Sequence, residues 1–134
     1  MSKHTDVMAF IGRCLIAVMF FVSGIGKVVA PQATIAAITS VGLPVPEGAY
    51  AISVIVELGG ASLLVLGWQT RLLGAGLSVF VIATAVIFHS NFADQNMLIH
   101  FLKNIAVTGG LFQLIAFGAG EFSLDARLGR VVAS

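Results

Sequence analysis

The sequence predicts an all-α integral membrane protein, a bundle of four antiparallel transmembrane helices. Composition is the first observation. Of 134 residues 58% are hydrophobic and 10% charged, whereas a soluble domain is about 25% charged. A soluble globule this small needs a polar shell that so few charges cannot supply. Mean hydropathy is +1.04. The second observation is spacing. Apolar residues gather in four stretches, 7–29, 48–68, 71–88 and 97–118, each near the roughly 20 residues that cross hydrocarbon. None alternates as a β-barrel strand would.

The breaks between the stretches have local causes. Pro31 follows the first span and cannot continue it. Gly42-Leu43-Pro44-Val45-Pro46-Glu47-Gly48 is turn-rich. Within it Pro46 suits an early helical position, and Glu47 suits the positive end of the helix dipole. From Gly67 to Arg71 the link is so short that the second and third spans must form a hairpin. His89 to Asn96 is a polar connection. A short tail follows Glu121 and carries Arg127 and Arg130. Tyr50 and Trp68 read as interfacial aromatics at the two ends of the second span.

The chain reads as one domain with no internal repeat. Arg13 interrupts the first apolar run, and Pro31 follows directly on Val28-Val29-Ala30. Both features argue for a retained span over a cleaved signal peptide. Four spans place both termini on one side, with Lys3, Arg71, Arg127 and Arg130. The opposite loops carry no Lys or Arg. The positive-inside rule therefore predicts cytoplasmic termini. A net charge of +1 argues against nucleic-acid binding. A single cysteine, Cys14, excludes an internal disulfide and any CxxC motif.

Glu57 is the informative residue. It stands mid-span between Ile52-Ser-Val-Ile-Val and Leu58-Gly-Gly-Ala-Ser-Leu. A charge at that depth costs about 2.5–3.5 kcal/mol, so it must find a partner or hold a proton. Ser53, Glu57 and Gly60 share one helix face. On the fourth span Asn96, His100, Lys103, Asn104 and Thr108 form a polar stripe. Lys27 closes the first span with Ser23 one turn before it, and His89 closes the third. Turned inward, Ser23, Lys27, Ser53, Glu57, His89, His100, Lys103 and Asn104 would build one polar cluster in the exterior half of the bundle. Such a cluster is either a hydrogen-bonded knot that fixes helix register or a pocket for a polar head group such as a quinone ring. A proton path is a further use.

At the cytoplasmic end Arg13, Arg71, Glu121 and Asp125 are expected to pair as interfacial anchors. His89 and His100 flank one loop, and His4 lies at the opposite end. That arrangement suits hydrogen-bonded histidines better than haem or metal ligands, and no metal site is expected. Cys14 reads as a packing residue despite neighbouring Arg13. Ser23-Gly-Ile-Gly26, Gly59-Gly60 and Gly109-Gly110 read as close-approach patches between helices. No Ser/His/Asp arrangement, phosphate loop or HExxH is present.

Several segments in order resemble the DoxX family of small four-helix bacterial membrane proteins. They are Gly12-Arg13, Phe20-Phe-Val-Ser-Gly-Ile-Gly-Lys27, Gly42-Leu-Pro-Val-Pro46, Glu57, Gly67, Thr70-Arg71 and Ala83-Thr-Ala-Val-Ile-Phe-His89. Asn96, Phe101-Leu-Lys-Asn104, Gly109-Gly110, Gly118-Ala-Gly120 and Ser123-Leu-Asp125 complete the series. The likeness covers nearly the whole chain. It implies an inner-membrane location and a redox association. Some members look like small subunits of thiosulfate:quinone oxidoreductase, and others partner with oxidative-stress enzymes. This chain has no cysteine pair for sulfur relay.

Three functions are compatible with these readings. The favoured one is an accessory subunit of a quinone-linked redox system, with a redox partner subunit and no covalently bound cofactor. The second is a non-catalytic scaffold, with buried ion pairs that are structural and small-residue patches that dock a partner or form a homo-oligomer. The third is transport of a small solute or proton by an oligomer, because four helices are few for a monomeric transporter.

Overall fold

A computed structural model describes residues 2–133. Among them the helices are α1 (Lys3–Val29), α2 (Pro31–Ser40), α3 (Pro46–Leu66), α4 (Thr70–Phe88), α5 (Gln95–Phe117) and α6 (Leu124–Ala133). Four of these, α1, α3, α4 and α5, are long and apolar enough to cross a membrane. Their outward faces are apolar: Leu15, Ile55, Leu72 and Val79 are each more than two-thirds exposed. In water such a surface would be costly. In hydrocarbon it is the matched one.

The spans start slightly earlier than the hydropathy alone places them, because capping residues extend the helices. Ser2 caps α1 through the Thr5 amide. Asp94 caps α5 by accepting from the amides of Asn96 and Met97. Pro46 falls in the first turn of α3, with Glu47 beside it. Segment 31–40, expected to be loop, is instead the short helix α2. Pro31 starts it rather than merely ending α1, because a helix's first turn has no use for the missing N–H. Arg130 lies outside the residues whose side chains are described.

Helix α1 packs chiefly on α3, and α4 chiefly on α5. Along the first pair, Arg13 meets Leu64, Gly24 meets Leu58 and Lys27 meets Tyr50. Along the second, Gly74 meets Leu111 and Asn104 meets Val81. Both pairs rely on close backbone approach. A Cβ on Gly24 would stand 2.6 Å from Leu58 Cδ2, and one on Gly74 3.1 Å from Ile115 Cγ1. Without a hydrophobic drive between helices in lipid, such dispersion contact holds a bundle together. The shared core is Ala17, Phe20, Ala61, Leu64, Leu77, Val81, Leu111 and Leu114.

Gly67, in the left-handed conformation, ends α3, and Gln69, also left-handed, starts α4. This tight link and the chain termini lie at one end of the bundle, the termini end. Helix α2 and the 89–94 connection lie at the other, the loop end.

Candidate functional site: a polar-floored cavity at the loop end

The first layer of the site is an ion pair between neighbouring spans. Lys27 Nζ stands 2.8 Å from Glu57 Oε2 and 2.9 Å from Oε1. Ser23 Oγ donates to Glu57 Oε1 at 3.0 Å and accepts from Lys27 Nζ at 3.1 Å. Ser23 and Lys27 are one turn apart on α1, so a single helix face presents both to Glu57. Glu57 is 7% exposed at its side chain and Lys27 24%. The carboxylate thus has the partner its depth demands. Of the cations the sequence offered, the structure selects Lys27.

The second layer belongs to α4 and α5. Asn104 is buried and donates through Nδ2 to Val81 O at 3.3 Å and to Thr84 Oγ1 at 3.4 Å. Lys103 Nζ lies 3.4 Å from His100 Nδ1. The His100 ring stacks on His89, with centroids 5.0 Å apart. Half-buried His89 has its pKa held below the ordinary imidazole value. Burial is the main cause, and the nearby charges of His100, Lys103 and Lys27 add to it.

Between these layers lies a cavity of ≈ 720 Å³, within the range of about 300–1,000 Å³ typical of small-molecule sites. Ser23, Lys27, Glu57, His89, Lys103 and Asn104 all line it. Ser53 lines it too, but its hydroxyl is spent on Ala49 O of its own helix at 2.9 Å. His100 stands behind the wall, outside the lining, and is exposed. Asn96 also stays outside, exposed at the start of α5. Phe20, Phe80 and Phe88 supply apolar walls, and α2 covers one side with Ala37 and buried Ile38.

At the termini end lie Arg13, Arg71, Glu121 and Asp125, expected to pair as anchors. Arg13 is 0% exposed. Its guanidinium donates to the carbonyls of Leu64 at 2.6 Å, Val65 at 3.0 Å and Phe122 at 2.5 Å. It therefore binds the open end of α3 and the tail, and among the described residues it makes no hydrogen bond to a carboxylate. The physical reason is that Gly67 stops α3 and leaves its last carbonyls without amide partners. Asp125 does the complementary job at the start of α4, accepting from the amides of Gln69 at 2.7 Å and Thr70 at 2.9 Å. Arg71 lies over the Gly118 turn. The Glu121 amide donates to Asp6 Oδ1 at 3.1 Å. Sequence reasoning missed Asp6, which is buried. Its place in a helix first turn reads as ordinary dipole matching. Cys14 is half-buried.

Four apolar spans around an intramembrane ion pair define a small helical membrane protein with a polar internal site. The chain belongs to the DoxX family, whose sequence profile matches residues 8–90. The inner membrane protein YqjF of Escherichia coli (strain K12) is 31% identical over 130 residues, which cover 97% of this chain and 98% of that protein. The inner membrane protein YphA of the same strain is 33% identical over 127 residues, covering 90% of each. No solved structure matches the chain.

Proposed function

We propose that the chain is an inner-membrane accessory subunit of a quinone-linked redox system, with both termini cytoplasmic, and that the loop-end cavity holds the quinone ring. The carrying observation is the cavity's division of labour between donors and an acceptor. The ammonium of Lys27 has three N–H groups, and its contacts to Ser23 and to both oxygens of Glu57 occupy it. Lys103 has only the long contact to His100 in hand, so it keeps donors free. Lys103 and His89 are thus the residues suited to donate to ring carbonyls. Glu57 Oε2 accepts only from Lys27 and retains acceptor capacity for a ligand hydroxyl. Phe20, Phe80 and Phe88 suit the flat faces of a ring.

A bound quinone would supply two-electron, two-proton chemistry, with electrons delivered by a partner's cofactor. The chain's own contribution would be to orient the ring through Lys103 and His89, and to exchange a proton at Glu57 Oε2 under the influence of Lys27. The inner-membrane names of the two relatives support the location. The positive charge of the termini side supports the orientation.

The test is to purify wild type and Glu57→Gln in mild detergent with native lipid, then identify extracted small molecules by mass spectrometry. Stoichiometric quinone in wild type, lost in a variant that still folds, is the expected result. Absence of quinone, with a variant that only melts earlier, would make the cluster a register-fixing knot and the chain a scaffold.

A further inference from the structure

We infer that the cavity is loaded sideways from the bilayer, through a portal between α1 and α5, and that its ligand is therefore a chain-bearing, membrane-dissolved molecule. From the quinone reading the inference takes only that the cavity holds a ligand. Three observations carry it. First, α1 and α5 touch sparingly. Their close approach is in the termini half, where a Cβ on Gly110 would meet Ile16 Cδ1 at 3.2 Å. Toward the loop end they diverge, with Ser23 and Lys27 on one side of the cavity and Lys103 and Asn104 on the other.

Second, the residues that line the cavity sort by exposure. Glu57, Phe20, Val81, Ile38 and Asn104 are buried and form its interior. Val22 is 68% exposed, and Gly26 and Lys103 are exposed as well, as are the small apolar Ala33 and Ala37 of α2, so the rim runs along α1 and α5 with an apolar stretch at α2. Third, the rim reaches hydrocarbon depth. Val22 lies about 10 Å below Val29, the end of α1, at about 1.5 Å per residue. On the α2 side the lining residues are the apolar Ala33, Ala37 and Ile38 with Thr34, so that side offers a charged ligand no charged group. At Gly26 a Cβ would meet nothing within 4 Å. The backbone there is bare toward the opening, and a larger side chain would fill the portal without disturbing the packing.

The test reads access directly and needs no knowledge of the natural ligand. Thr84 lines the cavity and is half-buried. Thr84→Cys in a Cys14→Ser background is reconstituted in lipid nanodiscs. It is then treated with a maleimide bearing a dodecyl chain or with a charged, sulfonated maleimide. The alkyl reagent should label Cys introduced at 84 and the sulfonated one should not. Adding Gly26→Leu should slow the alkyl reaction by about tenfold or more, the scale on which restricted access changes association rates. Gly12→Leu, at another open position on α1, should leave the rate unchanged.

Equal labelling by the sulfonated reagent, or a rate indifferent to Gly26→Leu, overturns the portal. So does labelling by neither reagent in a protein that melts like wild type, because the cavity would then be closed to the bilayer. A working portal with no quinone among the extracted molecules would instead overturn the quinone reading alone. The natural ligand would then be another chain-bearing lipophile.

Discussion

The two ends of this bundle use buried polar groups in opposite ways. At the termini end, Arg13, Asp6 and Asp125 spend themselves on backbone, taking up the carbonyls that end α3 and the amides that start α4 and the tail. At the loop end, Ser23, Lys27 and Glu57 bond one another across two spans and face a cavity. Backbone is always present and identical in every helix end, so the first arrangement needs no ligand; the buried atoms left without a partner there among the described residues, Arg13 Nε and Thr70 Oγ1, belong to residues that do not line the cavity. The second leaves Lys103 and His89 on a cavity wall with donors still to be used. The difference teaches that a buried charge in a membrane bundle marks a binding site only when its neighbours leave hydrogen-bonding capacity facing open space.

The sharpest way to break this comparison is Arg13→Met. Methionine fills similar volume but leaves the carbonyls of Leu64, Val65 and Phe122 without their donor. Each unsatisfied buried acceptor costs about 1–3 kcal/mol, so the loss should total about 3 kcal/mol or more. Unfolding in detergent by denaturant would measure it. Ligand retained by the surviving folded fraction should match wild type. A variant of ordinary stability that had lost its ligand would abolish the division between the two ends. Arg13→Lys should recover part of the stability, because one ammonium cannot span the three carbonyls that the guanidinium fork reaches.

Asp125→Ala is the next test and a milder one. It removes the acceptor for the Gln69 and Thr70 amides at the start of α4. Loss of a cap costs about 1 kcal/mol, within about 0.5–2. A thermal melt should show the corresponding small drop. The rate of alkyl-maleimide labelling inside the cavity should not change, since the two sites are at opposite ends.

How much of this was legible in the sequence follows the same division. The four spans were legible because length and hydropathy suffice to find them. Helix α2 was not. Its ten residues are too short for a span and carry no charge, so Pro31 registered only as a break. The need of Glu57 for a partner was legible from its apolar neighbours. The choice of Lys27 over Lys103 was not, because residue spacing fixes a helix face and says nothing of which helix lies against it. The role of Arg13 was hidden because its partners are carbonyls, which every residue has. The readable signal was Gly67, a helix stop that sets carbonyls free.

The smallest expected effect is a pH dependence confined to the loop end. In the folded protein His89 has its pKa pushed below 6.5, first by burial and then by His100 and Lys103 from α5 and Lys27 from α1. In the unfolded chain those influences are gone, so the unfolded state binds the proton more readily. Where the unfolded state holds more protons, stability rises with pH. His89 therefore costs nothing well above pH 6.5. Its penalty grows as the pH falls through that value and is complete once the folded-state histidine is itself protonated. A series of melts from pH 7.5 down to 5 should show a loss of stability that His89→Gln reduces. The slope should be shallow, because His89 is half-buried and water screens its neighbours. Filling the cavity with ligand should steepen it, by excluding the water that now screens His89 from Lys103. A slope unchanged by His89→Gln would place the titrating group elsewhere and remove the electrostatic contrast between the two ends.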